Sequence, residues 1–568
     1  MSTPSDAPVA VIGMSCRTSG AETLTEFWDL ASRAERRLRD VPADRWYGLD
    51  EQVAAANTPR AFLLDSVDGF DARFFGIAPR MAAFMDPQHR LMLELAWHAV
   101  ENAGLDPESL EGEPVAVFAG AFMSDYGERM LARGKRADGA AFPGTMMAFL
   151  ANRVSYQFGW TGPSMVIDSA CSAGLSALGF AVQGLRSGDY PMALVGSPNL
   201  FSAGYYATNA YLGGALSPTG DSVPFSESRN GYLRGEGGAC LLLKPLDAAL
   251  ADGDPVHAVI RSVGSAHNGR GGGLTGTDQD SQISLVERTL AASGLTPRDL
   301  GHLEAHGTGT RSGDATEIAA LARLLPADRG PAAGPDGKLW VGSVKANIGH
   351  LEGAAGLIGI VKTVLAMQEG AIPRIAGLGT ADESLPVGDS PLGIPVENMP
   401  WPAGDVPRIG AVNAFGLGGS LSHAVVEEAP RRTEGTRAAA AEEIVPLSAG
   451  SDEAVALLAR RLLRTLDGTD APALDSLAWT LQHGRRDMKH RRALVVSDSA
   501  SLRTALTAVA EGTHRPPTDG IARVWEDGGA RDWHVLWKDR DLPPRAHLPG
   551  TPFRRRPCWF DDEAPSAL

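Results

Sequence analysis

The sequence predicts an α/β fold in which helices cover largely buried sheets. Three observations carry that expectation. Short apolar runs alternate with longer helical patterns from Val9 to about Glu428. Hydrophobic residues make up 43% of the 568 positions, enough for a sizeable core and too many for wholesale disorder. The 66 glycines form no low-complexity tract. They cluster at the ends of apolar runs, at Gly235–Gly238, Gly269–Gly273, Gly307–Gly313, Gly349–Gly356 and Gly416–Gly419, where a chain turns sharply or approaches another backbone.

In chain order, Val9–Gly13, Pro114–Ala119, Met165–Ile167, Ala193–Val195, Ala239–Leu243, His257–Val263 and Leu339–Val341 read as short buried strands. Pro87–Ala103, Ala173–Ser187, Asp280–Ser293 and Gly353–Gln368 read as helices between them. Past Pro430 the texture changes. Arg431–Glu443 is a charged, Ala-rich linker. A strand at Ile444–Ser448, helices at Ser451–Leu466 and Leu474–His483, a strand at Arg492–Val496 and a helix at Ser499–Gly512 make a small α/β unit. The tail, Pro516–Leu568, is rich in Pro, Arg and Trp and is expected to wrap over the rest. The expected division is 1–430, 431–515 and 516–568.

Composition narrows the function. With 52 basic against 68 acidic side chains the formal charge is −16, which argues against a nucleic-acid partner. The four cysteines, Cys16, Cys171, Cys240 and Cys558, lie far apart without CxxC pairs. That excludes a disulfide scaffold and a zinc ribbon and fits a reducing cytoplasm. No apolar run approaches the roughly 18 residues of a membrane helix, and Met1–Pro8 is too short and polar for a signal peptide. Gly269–Gly273 lacks the Gly-Lys-Ser/Thr of a phosphate loop, so no nucleotide site is expected.

The most informative segment is Met165-Val-Ile-Asp168-Ser-Ala-Cys171-Ser-Ala-Gly174. A strand ends at Asp168 and a small-residue helix starts near Ser172, so Cys171 falls on a strand-to-helix turn at the positive end of a helix dipole. Such a position is expected to lower a thiol pKa. Cys16 and Cys240 read as inert core residues. Two histidines also follow strand-like runs and are flanked by glycines: His306 in Leu303-Glu-Ala-His306-Gly-Thr308-Gly-Thr310, and His350 in Lys345-Ala-Asn347-Ile-Gly-His350. A metal site competes for them, but no HxxxH spacing or closely spaced third ligand supports it.

Together these segments resemble the β-ketoacyl synthases of type I modular polyketide synthases, over about Val9–Pro430. The resemblance rests on Met85-Asp-Pro-Gln-His-Arg-Leu-Met-Leu-Glu94, Asn152-Arg-Val-Ser-Tyr156, Asp168-Ser-Ala-Cys171-Ser, Gly235-Glu-Gly-Gly, His306-Gly-Thr-Gly-Thr310, Lys345-Ala-Asn-Ile-Gly-His350 and Asn413-Ala-Phe415-Gly-Leu-Gly-Gly419. It implies a thiolase-like five-layered αβαβα fold of two similar halves, and a homodimer. It also implies roles. Cys171 would accept an acyl chain from an acyl carrier protein as a thioester. His306 and His350 would stabilise the enolate left by decarboxylation of a malonyl-type extender. Lys345 would organise the pair, with Glu317 as its counter-charge. Thr308 and Thr310 would hold the phosphopantetheine arm, with Phe415 and Gly416 beside the substrate. Backbone N–H groups of Cys171 and Phe415 would form the oxyanion hole. No metal and no diffusible cofactor is implied.

The C-terminal third fits the same resemblance. The segment from Ile444 to Ala508 resembles the linker that precedes an acyltransferase, and His547–Phe560 resembles the segment that follows one. No GHSxG-like serine elbow lies between them, so a separate acyltransferase and a carrier protein acting in trans are expected. Departures from the family pattern are Ser169 for threonine, Ala315 for proline, Gly276-Thr277-Asp278 in the glycine loop after β-like 257–263, and Leu421 for asparagine in Gly419-Ser-Leu421-Ser-His423. Leucine cannot make an amide's hydrogen bonds, so that loop must be held differently. Decarboxylative condensation is the leading reaction. Cyclisation and release of the tethered chain, or simple transfer, is the enzymatic alternative, and a non-catalytic dimer scaffold the other.

Overall fold

The structure is a computed structural model, and it describes residues 7–42, 45, 60–134, 138–330, 334–388, 390–431, 441–468, 471–529 and 532–560. Most of the expected linker Arg431–Glu443 therefore lies outside the described residues, as do the last eight residues of the tail.

Among the described residues, eleven strands form one hydrogen-bonded order. In chain order they are β1 (Val9–Thr18), β2 (Val115–Gly120), β3 (Ser164–Ile167), β4 (Met192–Asn199), β5 (Gly237–Pro245), β6 (Ala258–His267), β7 (His302–Glu304), β8 (Leu339–Gly342), β9 (Leu392–Gly393), β10 (Ile409–Phe415) and β11 (Ser420–Glu428). The spatial order is β9-β8-β7-β10-β11-β6-β1-β5-β4-β2-β3. Its two sides repeat one another. On one, β2 runs parallel to β3 and β4, and β5 is antiparallel to both β4 and β1. On the other, β7 runs parallel to β8 and β10, and β11 is antiparallel to both β10 and β6. The halves meet where Val9, Ala10 and Val11 of β1 pair with Ile260, Val259 and Ala258 of β6.

Helices complete the layers. Helix α1 (Pro87–Asn102) covers the outer face of β1, β4 and β5. Helices α3 (Gln279–Ala291) and α4 (Arg311–Leu324) cover the outer face of the other half, where Ile318 and Leu321 share an apolar cluster with Leu303 and Val341. Between the sheets lie α2 (Ala173–Ser187) and α5 (Ala355–Gln368), packed against each other. Every residue of α5 from Ala355 to Met367 is buried, as expected of a helix that is apolar all round. This is the five-layered αβαβα architecture, and it buries the start of α2 between the layers, while β3, the last strand of the order, stays partly exposed.

Beyond residue 441, strands β12 (Glu443–Ala449) and β13 (His490–Val496) pair antiparallel. They pack with α6 (Asp452–Asp467), α7 (Leu474–His483) and α8 (Ser499–Glu511) around Leu447, Leu462, Leu477 and Leu506. The tail then crosses the N-terminal half. Thr551 bonds both carboxylate oxygens of Glu101, and Arg555 pairs with Glu94 and Glu22. Arg556–Pro557 pairs with Phe70 and Gly69, and Trp559 lies over the Arg129 guanidinium.

Candidate active site

Cys171 sits where the sequence places it, between β3 and α2. The chain turns there through Ala170, whose φ of 54° puts a non-glycine residue in the left-handed region. The turn is pinned by hydroxyls: Ser172 Oγ donates to the Ser169 carbonyl at 2.7 Å and lies 3.0 Å from Ser420 Oγ. Cys171 is half-buried. Its thiol does not behave as the helix-dipole expectation held. Burial, and then the Glu352 carboxylate, push it up to about 12, against the downward pull of the Leu417 N–H and of Lys345. The resting group is therefore a neutral thiol. Desolvation outweighs the dipole.

The histidines come from equivalent places in the second half, His306 just past β7 and His350 after the short helix Lys345–Ile348 that follows β8. Their rings stand 5.3 Å apart at 83°. Each Nδ1 accepts a backbone N–H: His306 from Phe415 at 3.2 Å, His350 from Glu352 at 3.2 Å. An imidazole whose Nδ1 accepts carries its proton on Nε2 when neutral. Both rings are held well below the usual imidazole range, by burial first and Lys345 second. The site thus presents two neutral Nε2–H donors.

Lys345 is buried, and desolvation lowers its pKa against the pull of Glu304, Glu317, Cys171 and Asp314. Glu317 is not its direct partner; among the described residues no ion pair joins them. Instead Glu317 accepts the N–H of His306 at 2.9 Å, the N–H of Gly307 at 2.9 Å and Asn413 Nδ2 at 2.8 Å. It lies on α4, whose first turns face the His306 loop, so its carboxylate meets backbone donors before it can reach Lys345. Glu317 thus acts on Lys345 through its charge, as the counter-charge expectation has it, while its hydrogen bonds anchor the histidine loop.

The oxyanion-hole expectation for Phe415 is corrected. Phe415 ends β10, and its N–H is taken by His306 Nδ1. The chain turns only after it, and the N–H of Leu417 is the one that reaches the Cys171 sulfur. Gly416 makes that turn possible: a Cβ there would stand 2.3 Å from the Ser169 carbonyl oxygen. Its N–H bonds the Ser420 carbonyl at 2.6 Å, so Gly416 serves the close approach of loop to elbow. Thr308 and Thr310 are half-buried with hydroxyls 3.1 Å apart.

Leu421 is accommodated without amide bonds. It is buried with Leu285 and Phe415 in a small apolar cluster. Ala315 lies inside α4 against the apolar cluster of that half, and Asp278 caps α3 by accepting the Ser281 N–H at 2.8 Å.

Several groups escaped the sequence. Glu352, with φ 44° and fully buried, forms a two-pronged ion pair with Arg234 at 2.8 and 3.0 Å behind His350. Its signal was a carboxylate two residues past a histidine in an otherwise apolar stretch. Asp314 accepts the N–H groups of Gly309 and Phe225 and supports the Thr308–Thr310 turn; burial pushes it up to about 7. His423 bonds Asn413 Oδ1 at 2.7 Å, extending the Glu317 chain to β11.

A half-buried cysteine on a strained elbow, a pair of buried-nitrogen imidazoles and a glycine loop beside the sulfur belong to one candidate site, and the comparisons give its family. The models of the beta-ketoacyl synthase N-terminal domain and C-terminal domain match residues 6–249 and 257–378. The chain belongs to the β-ketoacyl synthase family, in a thiolase-like fold. Within that family it is a polyketide-type ketosynthase: a RhiE-like, KS-MAT linker domain model matches residues 446–513. The oxazolomycin ketosynthase domain of Streptomyces albus superposes with a TM-score of 0.85 at 32% identity, covering 98% of both chains. The ketosynthase from module 6 of the Bacillus subtilis bacillaene synthase gives a TM-score of 0.87 at 29% identity, covering 97% of this chain and 100% of that one. Among curated relatives, the Saccharopolyspora erythraea erythronolide synthase EryA2 is 38% identical and the Streptomyces sahachiroi 5-methyl-1-naphthoate synthase 36% identical. The matches cover 91% and 93% of this chain but only 14% and 30% of those proteins. Among the described residues no helix is long and apolar enough to cross a membrane.

Proposed function

We propose that this chain extends a polyketide by decarboxylative Claisen condensation with Cys171 as nucleophile. The observation that carries it is the matched pair of Nε2–H donors on His306 and His350, beside a cysteine whose sulfur meets the Leu417 N–H. Cys171 attacks the thioester of a carrier-bound acyl chain. The carbon–sulfur bond to the pantetheine arm breaks, and the Cys171 proton ends on the departing thiol. A carrier-bound malonyl-type extender then loses CO2, and the electron pair becomes an enolate whose oxygen accepts from both Nε2–H groups. Neutral imidazoles suit this task, because they donate without delivering a proton that would quench the carbanion. The enolate carbon attacks the Cys171 thioester, and the N–H groups of Cys171 and Leu417 hold the developing oxyanion. As the carbon–sulfur bond breaks, the Cys171 thiolate takes one proton from solvent and returns to its resting thiol.

Thr308 and Thr310 are assigned to the phosphopantetheine arm, Phe415 and Gly416 to the wall beside the chain, Lys345 to keeping the histidines neutral, and Glu317 to holding the His306 loop. Residues 1–430 form the condensing unit, 431–515 the linker unit and 516–568 a strap across both. The partners are an acyl carrier protein, an acyltransferase located elsewhere, and a second copy of the chain. No diffusible cofactor enters the chemistry, and the free cysteines suit the cytoplasm.

The test is mass spectrometry of the protein incubated with an acyl-pantetheine thioester and isotopically labelled malonyl carrier protein. An adduct on Cys171 that gives labelled β-ketoacyl product is expected. Cyclised product without malonyl consumption, or no adduct, contradicts the proposal.

A further inference from the structure

The glycine loop that carries the Leu417 N–H has little to hold itself in place. Three of the four residues Gly416–Gly419 are glycines, with φ of 97° and 92° at Gly418 and Gly419. Glycine visits such backbone freely and many others besides, so the sequence imposes no single loop conformation. Leu417 contributes little packing, since the residue is 58% exposed. Two of the loop's hydrogen bonds are internal, Gly416 N–H to Ser420 O and Gly419 N–H to Gly416 O. The anchors from outside are the Asn268 N–H on Gly419 O at 2.9 Å, the Ser172–Ser420 hydroxyl contact, and His267.

His267 ends β6, opposite Ser420 in the register. Its Nδ1 accepts the Gly269 N–H at 2.9 Å, which leaves the ring proton on Nε2. That Nε2–H donates to the Gly418 carbonyl at 2.8 Å. The ring also lies against Gly419, where a Cβ would stand 3.1 Å from its Cε1. One imidazole therefore spans two glycine loops and supplies a side-chain hydrogen bond to the loop apex, on the residue directly after Leu417.

We infer that His267 is a positioning residue for the oxyanion hole: by holding the Gly418 carbonyl it keeps the Leu417 N–H aimed at the carbon attached to Cys171. The inference rests on the assignment of Cys171 as acyl acceptor. It also accounts for how this loop is held when Leu421 offers no amide.

Two variants separate the hydrogen bond from the shape. His267→Phe keeps a ring against Gly419 and removes the donor; His267→Gln removes the ring and keeps a donor at the same distance from the backbone. Two rates are read on Cys171 of the full chain: acylation by a panel of short acyl-pantetheine thioesters, which passes through an oxyanion, and alkylation by iodoacetamide, which does not. Loss of a single oxyanion donor typically costs about a hundred- to a thousandfold, and a loosened one less. His267→Phe is therefore expected to acylate about ten- to a hundredfold more slowly, with alkylation, which loses only the pull of the Leu417 N–H on the thiol, slowed by less than about fivefold, and His267→Gln to recover acylation to within about fivefold. Wild-type acylation in His267→Phe, a parallel fall in alkylation, or a glutamine variant as slow as the phenylalanine one overturns the inference alone. A wild-type protein that alkylates but never acylates overturns the proposed function and this inference with it.

Discussion

Replacing Glu317 by glutamine changes one atom and tests how the His306 loop is built. Oε1 accepts from the His306 N–H and from Asn413 Nδ2, and Oε2 from the Gly307 N–H. A glutamine has a single acceptor oxygen, so in either flip at least one of the three donors faces an NH2 group and loses its partner inside the protein. An orphaned buried donor costs about 1–3 kcal/mol, and the bonds that remain lose the help of a charge, worth about another 1 kcal/mol. The relief of no longer burying a carboxylate offsets part of this, leaving a local penalty of about 2–3 kcal/mol. Since 1.4 kcal/mol is a factor of ten, amide hydrogen exchange over residues 303–312 should speed up by about 30- to 150-fold while exchange in α1 stays unchanged. Single-turnover CO2 release from malonyl carrier protein should fall with it. The double variant with Lys345→Met decides whether anchor or counter-charge dominates. An anchor predicts coupling below about 1 kcal/mol; a counter-ion pair predicts coupling above about 2 kcal/mol, because each loss would mask the other. Unchanged exchange at 303–312, or strong coupling to Lys345, refutes the anchor.

Other expectations follow from the same geometry. With the Cys171 thiol near 12, the thiolate fraction, and so the iodoacetamide rate, should rise about tenfold per pH unit from pH 7 to 10; a plateau below pH 9 would show that the helix dipole prevails. Gly416→Ala puts a methyl group 2.3 Å from the Ser169 carbonyl, so the elbow must shift, and acylation of Cys171 should drop by at least about tenfold in a protein whose circular dichroism is unchanged. Leu421→Asn buries an amide between Leu285 and Phe415 and should destabilise the protein by about 2–4 kcal/mol in denaturant unfolding; a neutral effect would mean that the amide finds partners there.

How much of this was legible beforehand varies with the kind of signal. Helix α2 and the β3–α2 turn were readable because strand, turn and small-residue helix are contiguous in the chain around Cys171. Helix α5 was readable from its unbroken apolar run, although its first turn is a separate 3-10 segment at Glu352–Ala354. The hairpin of β10 and β11 was not, since its seven- and nine-residue strands are joined by glycines that draw the eye to the turn alone. Helix α4 was missed because Arg311–Leu324 begins polar and shows its apolar face only at Ile318 and Leu321. At the site, residue identities were legible and partnerships were not. The resemblance offers Glu317 as a counter-charge to Lys345, and the two do feel each other's charge, but the hydrogen bonds of Glu317 go to Asn413 and to the backbone of the His306 loop, which no spacing in the chain announces. The same holds for Phe415 and Leu417: two residues apart in one motif, they differ in which side of a glycine turn their amides fall, and only the fold decides that.

The measurement that bears most directly on the central claim is the stoichiometry of CO2 release in a single turnover. The protein is first acylated on Cys171, freed of excess thioester, and mixed with malonyl carrier protein labelled in its free carboxyl group. One labelled CO2 per acyl-Cys171 consumed, with the chain transferred to the carrier as a β-ketoacyl thioester and the cysteine returned as a thiol, is the predicted result. Loss of the acyl group from Cys171 without CO2, or CO2 release that leaves the acyl group in place, would contradict it.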